Sequence, residues 1–154
     1  MDISSILLPS AVKVLSAVSS KKRLLQELGD IASGCYGFDA TKTTEALLDR
    51  ESLGPTGVGN GIALPHARLP LTEQMAGVFV RIERPVEFDA VDRKPVDLVF
   101  SLFAPNDAGV EHLKALALVS RTMRDSGMCA KLRANSDPVT LHTILTEQFE
   151  TKAA

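Results

Sequence analysis

The sequence predicts an α/β fold, a central sheet covered by helices on both sides. Three observations lead there. Segments of helical period stand before, between and after segments of strand type. The run 95–104 is almost continuously apolar, the pattern of a strand buried on both faces. At 154 residues the chain suits one core, and it shows no internal repeat, low-complexity tract or linker that would divide it. A single domain over 1–154 is therefore expected.

The elements follow in order. Val12–Leu15 is a short strand candidate. Ser19 and Ser20 then suit a helix start, because a serine hydroxyl can accept from the free N–H groups of a first turn. Leu24, Leu25, Leu28, Ile31, Ala32 and Cys35 follow at helical spacing, and Gly37 ends the segment. A second helix is expected from an Asp39 or Thr41 cap to about Leu53, with Ala40, Thr44, Leu47 and Leu48 inward and Gly54 as its stop. Arg50 then falls in the last turn, toward the glycines that follow. The run 77–82 is β-rich, and 86–88 can pair before a turn at Asp92-Arg93-Lys94.

After 95–104, Pro105-Asn106-Asp107 reads as the start of a third helix reaching Arg124. Its expected core face is Leu113, Leu116, Ala117, Ser120 and Met123. A short helix is expected over 128–134. The last helix has Asp137 as cap and Pro138 at its first position, where the missing N–H does no harm. Its stripe is Leu141, Ile144, Leu145 and Phe149.

Composition narrows the function. The chain is 45% hydrophobic and 23% charged, with a formal net charge of −2. That balance gives no bulk attraction to nucleic acid or an anionic membrane. Aromatics are only 5%, too few for a base-stacking platform. No apolar run approaches the roughly 20 residues that span a bilayer. The stretch 1–18 carries Asp2 and Pro9 and lacks a basic leader, so it does not read as a signal peptide. Cys35 and Cys129 are far apart and suit buried reduced thiols, which points to the cytoplasm.

One segment stands out chemically, Gly54-Pro55-Thr56-Gly57-Val58-Gly59-Asn60-Gly61-Ile62-Ala63-Leu64-Pro65-His66-Ala67-Arg68. Glycine tolerates positive φ and lets backbone N–H groups approach a ligand. The segment reads as a surface loop that presents His66. Pro65 fixes its own φ and pushes Leu64 toward an extended conformation, which stiffens the presentation of His66. Arg68 adds a cation that lowers the pKa of His66 and favours its free base, the nucleophilic form.

Of the other histidines, His142 flanks an apolar stripe and suits a structural or surface role. His112 is expected in the first turn of the third helix, where positive potential favours neutral imidazole and hence one hydrogen-bond donor. If Arg50 and His112 converge on His66, the set suits a phosphoryl group, which needs alignment and charge compensation. The same residues also fit a glycine-rich turn with an incidental His-Arg pair.

Other chemistries fit less well. There is no G-x-x-x-x-G-K-[ST] loop, the spacing Gly57-x-Gly59-x-Gly61 is not G-x-G-x-x-G, and no G-x-S-x-G elbow occurs. His66 and His112 could serve as two zinc ligands, but no third ligand stands at motif spacing. No metal and no cofactor are expected.

The run from Arg50 through Glu51-Ser52-Leu53-Gly54-Pro55-Thr56-Gly57 to Pro65-His66 resembles the active-site signature of the fructose/mannitol-type enzyme IIA domains of the bacterial phosphoenolpyruvate-dependent phosphotransferase system. Phe88-Asp89-Ala90-Val91-Asp92-Arg93-Lys94-Pro95-Val96-Asp97-Leu98-Val99-Phe100 and Glu111-His112-Leu113 also match that family's pattern, and the likeness covers about the whole chain. Within the family the chain looks most like the nitrogen-type, stand-alone regulatory branch. Pro55 stands where serine is common, which leaves Thr56 for any side-chain phosphate contact.

The resemblance implies a mixed sheet sandwiched between helices. It implies that His66 accepts a phosphoryl group, on Nε2, from a histidine-phosphorylated carrier protein. Arg50 and His112, with Thr56 and Gly57 beside them, would be the positioning groups. It also implies a cytoplasmic phosphotransferase whose output is mainly regulatory, through partners such as potassium transport systems, sensor kinases or stringent-response enzymes. Neither nucleic-acid binding nor membrane insertion is implied. The alternatives are a sugar-specific enzyme IIA that passes its phosphoryl group to a IIB domain, and a protein-binding module whose His66 is never phosphorylated.

Overall fold

The computed structural model describes residues 1–70 and 72–153, with side chains given as far as Glu147. Two single 3-10 turns, Ile3–Ser5 and Pro9–Ala11, lead into strand β1, Val12–Leu15. Helix α1, Lys21–Tyr36, starts where Ser20 Oγ accepts from Arg23 N–H and stops at Gly37, whose φ of 76° is left-handed. Helix α2, Ala40–Leu53, is capped by Asp39 and ends at Gly54. Then come β2 (Gly57–Gly59), β3 (Ile62–Ala63), β4 (His66–Leu69), β5 (Ala76–Val86) and β6 (Val96–Pro105). Three helices finish the chain: α3 (Val110–Arg124), α4 (Ser126–Arg133) and α5 (Pro138–Ala153).

The sheet is mixed, in the order β1-β5-β6-β3-β2, with β4 also on β6. β6 is the central strand. It runs antiparallel to β5 on one side and parallel to β3 and then β4 on the other. Its side chains are buried on both faces along most of its length, as its apolar run predicts. β3 and β4 are two parts of one edge interrupted at Leu64-Pro65. Pro65 cannot donate, but its carbonyl accepts from Leu102 N–H at 3.0 Å and keeps the register across the gap. α1 and α2 pack on each other and on β5 and β4, while α3, α4 and α5 pack in series and reach β6 and β1. The sheet is thus sandwiched between helices. Phe79, Phe88, Phe100 and Phe103 lie fully inside. Each such burial is worth about 1.5–3 kcal/mol against exposure.

Four expectations change. The segment 54–68 is not a free loop. Gly59 pairs with Ile62, which leaves Asn60-Gly61 as a two-residue turn, and both have positive φ, 59° and 79°. That is a type I′ hairpin, for which Asn-Gly is the strongest sequence signal. The third helix begins at Val110 after Gly109, because β6 continues to Pro105 and the chain needs 106–109 to turn. Its buried face is His112, Ala115, Val119, Thr122 and Met123, and Leu113 is 64% exposed. Of the expected face only Met123 is fully buried, and Leu116 packs against the core partly buried. Two faces of this helix fit a 3.6 period, and the one carrying His112 and Thr122 scores as polar although the core takes it. In α2, Thr43 is buried beside Leu47, while Thr44 packs on α1 at Gly29, where a Cβ would lie 2.2 Å from Thr44 Oγ1. Phe149 of the last stripe lies outside the described side chains.

Candidate active site

His66 is the first residue of β4, opposite Leu102 of β6. In a strand, alternate side chains share a face, so His66 and Arg68 point one way while Ala67 and Leu69 enter the core. His66 is half-buried. Its Nδ1 lies 2.9 Å from the carbonyl oxygen of Leu64. A carbonyl only accepts, so Nδ1 carries the proton and Nε2 keeps its lone pair. Burial lowers the pKa of His66, the bond to Leu64 opposes that shift, Arg50 lowers it further and Glu51 raises it. The free base is therefore favoured. The cation responsible is Arg50 and not Arg68, as the sequence suggested.

Arg50 stands in the last turn of α2, and its Nη1 donates to the carbonyl of Gly54 at 3.0 Å. The next residue, Glu51, was not singled out from the sequence. Its carboxylate is 6% exposed and lies 2.9 Å from Lys21 Nζ. It also accepts from the backbone N–H of Thr56 at 2.9 Å and from the Thr56 hydroxyl. An acid in a helix's last turn opposes the helix dipole, so its presence there was a signal that something else holds it.

His112 is the third residue of α3 and only 5% exposed. Its ring meets that of His66 edge to face, with centroids 6.0 Å apart. Arg68 Nε donates to His112 Nδ1 at 3.1 Å, and Arg68 Nη1 donates to the Asn106 carbonyl at 3.3 Å. His112 Nε2 is buried without a partner among the described residues. Burial, then Arg68, then His66 lower its pKa, which keeps the ring neutral.

Thr56 and Gly57 follow the end of α2 and have contacts of their own. Thr56 is buried, with its hydroxyl and N–H given to Glu51. Gly57 is packed so closely that a Cβ would meet Ala90 Cα at 2.8 Å, and its carbonyl accepts from Val91 N–H. The hairpin tip is pinned from α4: Arg133 Nη2 donates to the Asn60 carbonyl at 2.7 Å while Arg133 holds Asp97. His142 lies apart, 3.0 Å from the carbonyl of Leu7.

The structure thus gathers a free imidazole nitrogen, a guanidinium and a buried neutral donor. That set can take up a planar, anionic group in transfer and compensate its charge. Among the described residues, no group of three His, Cys, Asp or Glu side chains is placed to hold a metal ion. Nor is any described helix long and apolar enough to cross a membrane. A cavity of about 520 Å³ lies elsewhere, between the N-terminal turns, Tyr36 and the start of β5, and none of these residues lines it.

Comparison with known proteins points the same way. A family model for the phosphoenolpyruvate-dependent sugar phosphotransferase system, EIIA 2, matches residues 5–148. A nitrogen regulatory protein of Bradyrhizobium diazoefficiens is 44% identical over 145 residues, covering 94% of this chain and 95% of the relative. One of Escherichia coli is 38% identical over 148 residues, covering 96% and 91%. Among solved structures, nitrogen regulatory protein IIA-Ntr from Neisseria meningitidis superposes with a TM-score of 0.85 at 37% identity, covering 94% of this chain and 99% of that one.

Proposed function

The chain belongs to the phosphoenolpyruvate-dependent sugar phosphotransferase system EIIA 2 family, and on that premise we propose that it accepts a phosphoryl group on Nε2 of His66 from a phosphohistidine carrier protein. The observation that carries this reading is the bond between His66 Nδ1 and the Leu64 carbonyl. It leaves Nε2 as the atom with a lone pair. In the transfer, that pair forms the new N–P bond as the N–P bond of the donor breaks. The donor imidazole keeps the released electron pair. The proton on Nδ1 of His66 stays, and the Leu64 carbonyl stabilises the positive charge that the ring gains. Arg50 compensates the phosphoryl oxygens, and His112 Nε2–H donates to one of them. Thr56 and Gly57 shape the turn that carries the site.

The output is regulatory. The names of the relatives support the nitrogen-type branch, in which phosphorylation state would decide binding to partner proteins such as potassium transporters, sensor kinases or stringent-response enzymes. The test is direct. The protein is incubated with labelled phosphoenolpyruvate, enzyme I and the carrier protein. His66→Ala should take up no label and His142→Ala should label normally. Equal labelling of the two variants would remove His66 from this role.

A further inference from the structure

We propose that Arg68 is a positioning residue for this transfer, one that fixes the tautomer of His112 so that Nε2–H is the donor beside His66. This rests on the phosphoryl-transfer reading above. Arg68 Nε lies 3.1 Å from His112 Nδ1. A guanidinium nitrogen only donates, so Nδ1 must offer its lone pair. A neutral imidazole has one N–H, which then resides on Nε2.

A second, independent observation concerns that nitrogen. His112 is 95% buried, and its Nε2 has no partner among the described residues. A buried donor without an acceptor is costly, and such groups cluster where a ligand supplies the missing bond. The imidazole rings lie 6.0 Å apart, so a group on His66 with three oxygens falls within reach of a donor on the His112 ring. Arg68 also holds the Asn106 carbonyl, so one side chain ties the end of β6 to the first turn of α3. His112 in the other tautomer would offer a lone pair to the phosphoryl oxygens and repel them.

The experiment uses the full chain labelled with ¹⁵N-histidine, at mildly alkaline pH where both imidazoles are neutral. In the wild type, His112 Nδ1 should give an unprotonated-type signal and Nε2 a protonated-type signal. Arg68→Met should average the two signals. It should also lower kcat for phosphoryl uptake from the phosphorylated carrier by roughly ten- to a hundredfold, the size of loss known when the orienting partner of a metal-bound histidine is removed. KM for the carrier and the His142 signals should stay as they were. A protonated Nδ1 in the wild type overturns the proposal. So does a rate loss with an unchanged tautomer, which would put Arg68 on the phosphoryl group itself, and so does a rise in KM alone, which would make it a docking contact. A wild type that takes up no phosphoryl group at all would instead strike the functional reading, and the tautomer signals would still show whether Arg68 orients His112.

Discussion

Thr56 gives both its backbone N–H and its hydroxyl to the carboxylate of Glu51, five residues earlier at the end of α2. The same carboxylate holds Lys21 from the start of α1. Lys21 in turn lies over the Phe88 ring at 4.8 Å and 3.8 Å from Asp89. Two consecutive side chains of opposite charge, Arg50 and Glu51, therefore stitch the turn 54–56 to the helix that precedes it.

That arrangement predicts a structural role for the Thr56 hydroxyl. Thr56→Val keeps the shape and deletes one bond to a charged group, worth about 1.5–3 kcal/mol. For a chain of this size each kcal/mol moves the midpoint by about 2–4 °C. The expected result is a melting temperature lower by roughly 3–12 °C, by calorimetry, with phosphoryl uptake close to wild type. A severe loss of uptake at an unchanged melting temperature would mean that Thr56 leaves Glu51 to hold the phosphoryl group.

Arg50 should behave in the opposite way. It is partly exposed, its one described bond is to the Gly54 carbonyl, and its charge acts on His66. On the proposed reading, Arg50→Ala removes a donor for the charge that develops in transfer, a loss of about 2.7–4 kcal/mol or at least a hundredfold in rate. Substitutions outside the core seldom shift stability much. Single-turnover transfer from the phosphorylated carrier measures the first effect and thermal unfolding the second. A large melting shift with near-normal transfer would assign Arg50 to the fold.

The pH dependence follows from two lowered histidine values. His66 faces Arg50, Glu51 and His112, and His112 faces Arg68 and His66. Both fall below the ordinary 6.5. The nucleophilic free base of His66 then persists as the pH drops through 6.5, and uptake should stay flat there and decline only further down. For stability the sign is the reverse of a salt-bridged histidine. Below 6.5 the unfolded chain binds protons that the native one does not, so stability is full above 6.5 and is lost as the pH falls toward the native values. The melting temperature should therefore drop on acidification, and less so in His66→Gln. An uptake rate that halves at or above 6.5 would contradict the lowered value for His66.

The parts of the molecule written in local chemistry were legible in the chain. Ser20 and Gly37 bracket α1, and Val96–Pro105 reads as a doubly buried strand because nothing in it tolerates water well. The roles of Arg50, His66 and His112 came from the family resemblance, and the residues alone left their convergence as a condition. What was not legible depends on distant partners. Gly57 is small because Ala90 presses on it, and Asn60 is held by Arg133 from α4. The four glycines of 54–61 looked like freedom, yet most of them serve close packing and a tight hairpin turn. Arg68 seemed to serve its neighbour His66, but strand geometry and the start of α3 bring His112 to it. The true face of α3 was missed because a histidine and a threonine occupy core positions there.

The last prediction concerns output. A phosphoryl group adds about −1.5 to −2 charge at a half-buried strand end beside the Arg50 charge. The apolar surface available to a partner is what the fold leaves exposed around the site. Ile62 is buried and Leu64 half-buried, whereas Val58, Leu53, Val110 and Leu113 are exposed, the last two in the first turn of α3 beside His112. A partner that packs on those residues meets the Arg50 charge in the free form and a partly neutralised one after phosphorylation. An acidic partner should therefore bind the unphosphorylated protein more tightly, and Leu113→Asp should weaken it without disturbing the core. Since the described backbone ties around His66 need not break, the switch is expected to act through local charge without a large change of shape. The measurement is the affinity of a captured partner for the phosphorylated and unphosphorylated protein, with His66→Ala as the form that cannot switch. Equal affinities for every partner would leave a phosphoryl intermediate of the sugar-transport kind, and transfer onward to a IIB domain would then be the activity to assay.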